Sequence, residues 1–376
     1  LATHQLSLLK IKSARKSKKT TAFSINHSLS DKLLQSLDFQ LTKAQNRSIE
    51  EINKDIASSN PMLRLLQGDV GSGKTIVAVF ALLQAVENNF QTAVMAPTEI
   101  LARQHLQNFS IYLDPLGIKV AFLSGSQNTQ ERREQLSLIE NGEAQVVIGT
   151  HALFQEKVSF NNLALVIIDE QHKFGVHQRL SLSQKAKITP HQLVMTATPI
   201  PRSLTMSAYA DLDTSIIDEL PPGRQAIETV ALSNTRRDEL IKKIKIISNE
   251  GRQIYWVCTL IEESETLRAE SAEKTFTYLS SNLEDLNVVM IHGRLTKSEK
   301  EVIMKDFSEK RIDLLVATTV IEVGVNVPNA SLMIVENAER LGLAQLHQLR
   351  GRVGRGAEKS ACILMYQSPL SQTAKQ

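Results

Sequence analysis

Gly68-Asp69-Val70-Gly71-Ser72-Gly73-Lys74-Thr75 restricts the possible folds of this chain more than any other stretch. It fits G-x-x-x-x-G-K-[ST], in which the backbone N–H groups of a loop wrap a nucleotide's phosphates. Before it, Met62 to Leu66 is a short apolar run of the buried-strand kind. After it, Thr75 to Val86 is rich in Ala, Val and Leu, as expected of a helix that Lys74 and Thr75 open. The stretch therefore predicts a strand–loop–helix unit that binds a nucleotide. Lys74 would reach the β- and γ-phosphates, Thr75 would hold Mg2+ through its hydroxyl, and Gly68, Gly71, Ser72 and Gly73 would line the loop.

With 376 residues there is room for two domains. Past the loop, strands at Thr92–Ala96, Lys119–Leu123, Gln145–Ile148, Leu163–Ile168 and Leu193–Met195 alternate with helical stretches. Alternation of this kind predicts an α/β fold with a parallel sheet, its ligands at the carboxyl ends of the strands. Asp218-Glu219-Leu220-Pro221-Pro222-Gly223-Arg224 breaks the rhythm and reads as an interdomain linker. A second series follows, with strands at Gln253–Cys258, Leu286–Ile291, Leu314–Ala317, Leu332–Glu336 and Ala361–Tyr366. Its helices fall near Asp238–Glu250, Glu262–Asn282, Lys297–Glu309 and Leu343–Arg350. The expected organisation is a basic lead-in or linker over 1–30, a first lobe over 31–217, the linker at 218–224 and a second lobe over 225–376. The second lobe has no phosphate loop of its own.

Composition limits the function classes. No apolar run reaches the ~18 residues of a membrane span, and no signal-type segment opens the chain. Cys258 and Cys362 each sit in an apolar run and read as reduced core residues, so a cytoplasmic setting is expected. The net charge is +3, but Lys10, Lys12, Arg15, Lys16, Lys18 and Lys19 supply six positive charges, and without them the remainder stands at −3. Net charge alone gives no argument for nucleic acid.

Four groups of residues carry chemistry. Asp38-Phe39-Gln40-Leu41-Thr42-Lys43-Ala44-Gln45 leads into a helix capped by Thr42. Phe39 could stack on a purine and Gln45 could pair with its edge, although a helix-cap segment explains the stretch equally well. The apolar strand ending at Asp169-Glu170 lies about 95 residues after the phosphate loop. It offers Asp169 to magnesium and Glu170 to the water that attacks the γ-phosphate. His172 would link that pair to Thr196 and Thr198. In Gln348-Leu349-Arg350-Gly351-Arg352-Val353-Gly354-Arg355, Arg352 and Arg355 are candidate arginine fingers. The fourth group is Thr98, Ser124, Ser126, Thr150, His292, Gly293, Arg294, Thr318 and Thr319, small or polar residues at strand ends. Singly these are helix caps; as a set they suit a groove for one nucleic-acid strand.

In their order these motifs resemble superfamily 2 helicases, and in their wording the RecG family of ATP-dependent DNA helicases within them. The resemblance spans residues 31–370. It rests on PMLRLLQGDVGSGKT at 61–75, APTEILARQH at 96–105, GTHALFQ at 149–155, IDEQHKFGVHQR at 168–179, MTATPIPR at 195–202, ATTVIEVGVNVPNA at 317–330 and ERLGLAQLHQLRGRVGRG at 339–356. It implies two tandem RecA-like parallel-sheet lobes with an ATP cleft between them. ATP and Mg2+ are the implied cofactors, and branched or forked DNA the implied partner. It also implies roles for Phe39 and Gln45 toward adenine, Gly71 to Thr75 toward phosphates, Asp169 and Glu170 in hydrolysis, and Gln348, Arg352 and Arg355 toward the γ-phosphate. Three positions depart from the family: Asp38 for Pro, Lys173 for Arg and Asn326 for Asp. The chain is expected to be a monomeric motor core cut from a longer protein, without the OB-type wedge domain or the C-terminal segment. Three alternatives stay open: a duplex translocase that does not separate strands, an ATP-gated DNA clamp, and an inactive fragment.

Overall fold

The computed structural model describes residues 19–170, 185–186, 188–197, 212–221, 225–259, 265–318, 327, 329–354, 356 and 359–370. It divides into two compact units, Leu1–Pro222 and Gly223–Gln376.

The first unit runs α1 (Ser28–Ser36), α2 (Lys43–Ile56), β1 (Leu63–Gly68), α3 (Lys74–Glu87), β2 (Gln91–Met95), α4 (Glu99–Leu113), β3 (Val120–Leu123), α5 (Thr129–Glu140), β4 (Val146–Gly149), β5 (Leu163–Asp169), β6 (His191–Thr196) and β7 (Asp213–Ile217). Its strands pair in parallel in the order β3-β4-β2-β5-β6-β1-β7. A parallel sheet is covered on both faces, so its strands are continuous apolar runs rather than alternating ones. Val94, Ile148, Leu165 and Ile167 point to one face, where they pack with α3 and α4. Ala93, Met95, Val147, Val166 and Ile168 point to the other, together with Ile139 of α5. The helix α3 is apolar on nearly all sides and buried from Ile76 to Ala85, which fixes the phosphate loop at its head against the sheet.

The lead-in differs from the expected linker. Residues 19–27, neither helix nor strand, lie on the first unit and pass into α1. Asn26 N donates to Gln84 Oε1 at 3.0 Å and Gln84 Nε2 returns a bond to Asn26 O at 2.7 Å. Asn88 does the same for Ser24, at 2.8 and 2.9 Å. Phe23 is buried, stacked on Phe90 at 5.1 Å and edge-on to His191 at 4.9 Å. Gln84 of α3 and Asn88 at its C-terminal cap, with backbone bonds from Thr20 N to Ser59 O and Phe23 N to Ile56 O, thus satisfy the backbone of a segment that lacks strand partners. Nothing local in residues 19–27 marks this packing, because the side-chain bonds come from residues about 60 positions later. The expected linker is also partly fixed: Asp218 pairs with Arg47 at 2.9 Å and Glu219 accepts from Ala44 N at 3.0 Å.

His191 closes this packing. Its Nδ1 accepts from Met62 N at 3.1 Å, so the proton sits on Nε2, which donates to Thr21 O at 3.0 Å. Burial pushes its pKa below the usual value, the bond to Thr21 and the charge of Asp55 only partly opposing this. The unfolded chain binds the proton first, at about pH 6.5. The stabilisation is complete above that value and declines as pH falls through it, until the native ring itself protonates. Thermal midpoints measured from about pH 8 down to pH 5 should fall more steeply for wild type than for His191→Gln, which has no proton to gain. Parallel slopes would exclude His191 as the titrating group.

The second unit runs β8 (Glu228–Ser233), α6 (Arg237–Asn249), β9 (Gln253–Cys258), α7 (Glu265–Asn282), β10 (Val288–Ile291), α8 (Lys297–Ser308), β11 (Leu314–Ala317), β12 (Ala330–Glu336), α9 (Leu343–Arg350) and β13 (Ala361–Tyr366). Its strands are parallel in the order β10-β11-β9-β12-β13-β8. Tyr255, Leu315 and Val335 face Phe307 of α8 and Leu349 of α9. Trp256, Val316 and Ile334 face Leu240 and Ile244 of α6 and Leu279 of α7. Both units are therefore α/β with parallel sheets, as expected. The strands that escaped the sequence reading are β7 and β8. β8 is an edge strand with its first four residues exposed, and only the short run Val230-Ala231-Leu232 marks it. Cys258 and Cys362 are buried and unpaired, and burial pushes the Cys362 thiol up to about 12. As thiols they are inert at neutral pH.

Candidate functional site

The loop after β1 is shaped by its own backbone and by Lys74. Ser72 N donates to Asp69 O at 3.1 Å, and Gly71 and Gly73 hold φ of 76° and 88°. Lys74 Nζ donates to Gly68 O at 2.8 Å and to Asp69 O at 2.9 Å, which points the ammonium into the curl of the loop. Thr75 follows in the first turn of α3. Ser72 Oγ is buried without a hydrogen-bond partner among the described residues, and a Cβ on Gly68 would overlap it. A buried hydroxyl without a partner, a lysine and a helix N-terminus at one loop fit phosphate oxygens.

Gln45 is only 2 % exposed and does not face outward. Its Oε1 accepts from Thr42 N at 2.9 Å, closing a capping box, and its Nε2 donates to Ser72 O at 2.9 Å. The structure thus uses Gln45 to tie α2 to the phosphate loop rather than presenting it to a base. Phe39 is 42 % exposed, ahead of α2. A Cβ on Gly73 would overlap the Gln45 amide nitrogen. Gly73→Ala combines that clash with a left-handed backbone, which costs a non-glycine residue ~1–2 kcal/mol. Its nucleotide affinity, followed by fluorescence titration, should fall about tenfold or more.

The neighbouring strand ends supply the acids. In the sheet, β6 separates β1 from β5, so Gly68, Thr196 and Asp169 all lie at carboxyl ends of adjacent strands. His105 Nε2 stands 2.8 Å from Asp169 Oδ2, and the two side chains are 10 % and 15 % exposed. Burial by itself would raise the Asp169 pKa. The hydrogen bond and charge of His105, the charge of Lys74 and the Glu170 N–H outweigh it and hold the carboxyl below its usual range. With its carboxyl held low, Asp169 is the acceptor in this pair and His105 Nε2 the donor.

Glu170 leaves the strand with φ of 51°, anchored by its N–H to Met195 O at 3.0 Å. Its carboxylate accepts from Ala197 N at 3.4 Å and Thr196 Oγ1 at 3.5 Å, both at the long limit of hydrogen bonding. Thr196 thus meets Glu170 directly. His172, the residue expected to make that link, lies outside the described residues, as do Thr198, Thr319, Arg355, Lys173 and Asn326.

Sequence reasoning missed His105 as a site residue. A signal was present: Ala102, His105 and Phe109 share one buried face of α4, and histidine is the polar member of that stripe. Among the described residues, no group of three or more His, Cys, Asp or Glu side chains could hold a metal by itself. Any magnesium would depend on nucleotide phosphates.

The residues proposed for nucleic acid have varied settings. Thr98 caps α4, accepting from Leu101 N at 3.4 Å, and is half-buried. Ser124 and Thr150 are buried, at 0 % and 3 % exposure. Ser124 O accepts from Arg132 Nη1 at 3.1 Å, and Thr150 caps a short turn at 3.5 Å, so both brace loops. Ser126 is the exposed member of that loop, donating to Glu99. In the second unit, Ile291 and Ala317 are register partners, which puts His292 and Thr318 side by side. His292 Nδ1 and Thr318 Oγ1 are both buried without a hydrogen-bond partner among the described residues, and Arg294 is exposed. Gln348 is buried on α9 and Arg352 is half-buried just beyond it.

Residues 42–207 match the DEAD/DEAH box helicase family and residues 236–357 the helicase conserved C-terminal domain. The ATP-dependent DNA helicase RecG of Escherichia coli O157:H7 is 56 % identical over 379 residues, covering 100 % of this chain and 55 % of that protein. RecG of Haemophilus influenzae is 54 % identical over the same coverage. A solved structure of RecG bound to a three-way DNA junction superposes with a TM-score of 0.84 at 44 % identity, covering 99 % of this chain and 49 % of that one. The chain thus spans about half the length of the relatives it matches. With both helicase domains matched in order and this identity along its whole length, the chain belongs to the RecG family of superfamily 2 helicases and carries its helicase core.

Proposed function

We propose that this chain is the motor core of an ATP-dependent DNA helicase that translocates on and remodels branched DNA in recombination and repair. The observation that carries it is the placement of Lys74, Asp169 and Glu170 at neighbouring strand ends of one sheet, with Lys74 close enough to lower the Asp169 pKa. Lys74 and the loop N–H groups would bind the β- and γ-phosphates, while Ser72 Oγ gains a partner. Thr75 and Asp169 would hold Mg2+, which supplies charge neutralisation on the phosphates. Glu170 would orient the attacking water and take its proton on the carboxylate. Gln348, Arg352 and Arg355 are proposed to answer the γ-phosphate charge, with Phe39 near the base.

Thr98, Ser126, His292, Arg294 and Thr318, with Thr319, are the proposed contacts to DNA phosphates. Ser124 and Thr150 hold two of those loops in shape. The solved relative is named as bound to a three-way DNA junction, which supports branched DNA as the substrate class here. A monomer is the proposed state. Among the described residues no helix is long and apolar enough to cross a membrane, and a cytoplasmic setting is proposed.

The test is ATP-dependent strand displacement on a forked duplex, run beside ATP hydrolysis on the same DNA. Displacement with hydrolysis supports a helicase. DNA-stimulated hydrolysis without displacement would instead make it a duplex translocase.

A further inference from the structure

The helix α4 leaves the carboxyl end of β2 and brings His105, about two turns beyond its Thr98 cap, against Asp169 at the end of the neighbouring strand β5. The ring is held edge-on to Phe109, with centroids 5.8 Å apart at 62°. An aspartate carboxylate turns freely about its last torsion, whose minima are broad and roughly two-fold. Its own rotamer therefore does not decide which oxygen faces the phosphate loop. The 2.8 Å bond from His105 to Oδ2, beside the Glu170 N–H, supplies the constraint that the rotamer does not.

We propose that His105 is a positioning residue for Asp169, its Nε2–H fixing the carboxylate in the one orientation that meets the magnesium–nucleotide complex. The proposal rests on the assignment of Asp169 to magnesium made above. Hydrogen bonds of this second kind, made to a ligand rather than to the metal, typically change metal affinity 10–100-fold when removed. A purely structural histidine would affect folding stability and leave the magnesium response alone.

The experiment measures binding, not turnover. In the full chain, a fluorescent non-hydrolysable ATP analogue is followed by anisotropy while Mg2+ is titrated. The proteins compared are wild type, His105→Ala, His105→Gln, His105→Asn and Asp169→Asn, with a melting curve for each to establish folding. For His105→Ala the half-saturating Mg2+ should rise about 10–100-fold, with binding in EDTA unchanged. His105→Gln, whose amide N–H extends to the Nε2 position, should recover most of the loss. His105→Asn, too short to reach, should behave like alanine, and this pair decides the matter even if the alanine variant does not fold. Equal midpoints for the Gln and Asn variants, or a midpoint for His105→Ala within about threefold of wild type while Asp169→Asn shifts, would overturn the proposal and leave Asp169 in place. An unshifted Asp169→Asn would instead remove the magnesium assignment itself, and the proposal with it.

Discussion

Lys74→Ala is expected to lower ATP hydrolysis by roughly 10²–10³-fold, with or without DNA, the size seen when one preorganised donor to transition-state charge is removed. The geometry gives a specific reason. Lys74 Nζ lies in the curl of the phosphate loop, on Gly68 O and Asp69 O. Nucleotide binding would transfer it from those carbonyls to phosphate oxygens, a short movement of a charge already in position. Alanine removes that charge and leaves the loop's N–H groups. Nucleotide affinity should therefore weaken while hydrolysis nearly disappears, the excess loss in turnover reporting charge that develops after binding. Steady-state hydrolysis and equilibrium nucleotide binding on the same preparations check both parts. A variant that hydrolyses ATP at the wild-type rate would mean that the loop serves another ligand. If instead both proteins hydrolyse ATP only at the background rate without protein, this core does not turn over as it stands.

The two sheets were legible because a parallel sheet writes its strands as apolar runs, and the polar residues that end them stand out. The loop opened by Gly68, the pair Asp169-Glu170 and Thr196 all follow runs read as strands, and the sheet order makes them neighbours. What was not legible concerns direction and burial. Gln45 reads from sequence as a residue able to face a purine edge. In the fold its amide faces inward, because Thr42 N and Ser72 O take both its ends. Ser124 and Thr150 sit at the expected strand ends but are enclosed by the loops they brace. His105 escaped because its partner is 64 residues away, and one histidine in a helix has no signature for what it meets. The packing of residues 19–27 was hidden for the same reason, its bonds coming from Gln84, Asn88 and His191. Sequence spacing places a residue on an element. Which side chain from a distant element completes its hydrogen bonds is set by packing.

Glu170→Gln should separate binding from chemistry more cleanly than any other substitution here, because the glutamate's setting needs its shape as well as its charge. A non-glycine residue at φ of 51° is in the sparsely populated left-handed region, a cost of order 1–3 kcal/mol that the surrounding fold sustains. The return is the carboxylate's position, beyond the end of β5 and beside Thr196 and Ala197. There the carboxylate is placed to take a proton from water. Glutamine keeps the size and the backbone but cannot accept the proton, so kcat should fall about 10²–10⁴-fold with nucleotide and DNA binding retained. Single-turnover hydrolysis beside equilibrium binding measures both. Glu170→Gly provides the converse: it loses the same chemistry but relieves the left-handed strain, and its thermal midpoint should rise above wild type. If Glu170→Gln keeps full activity, the base is another group. If the glycine variant melts below wild type, the strained turn is not stored cost but part of what holds the sheet's edge of the site together.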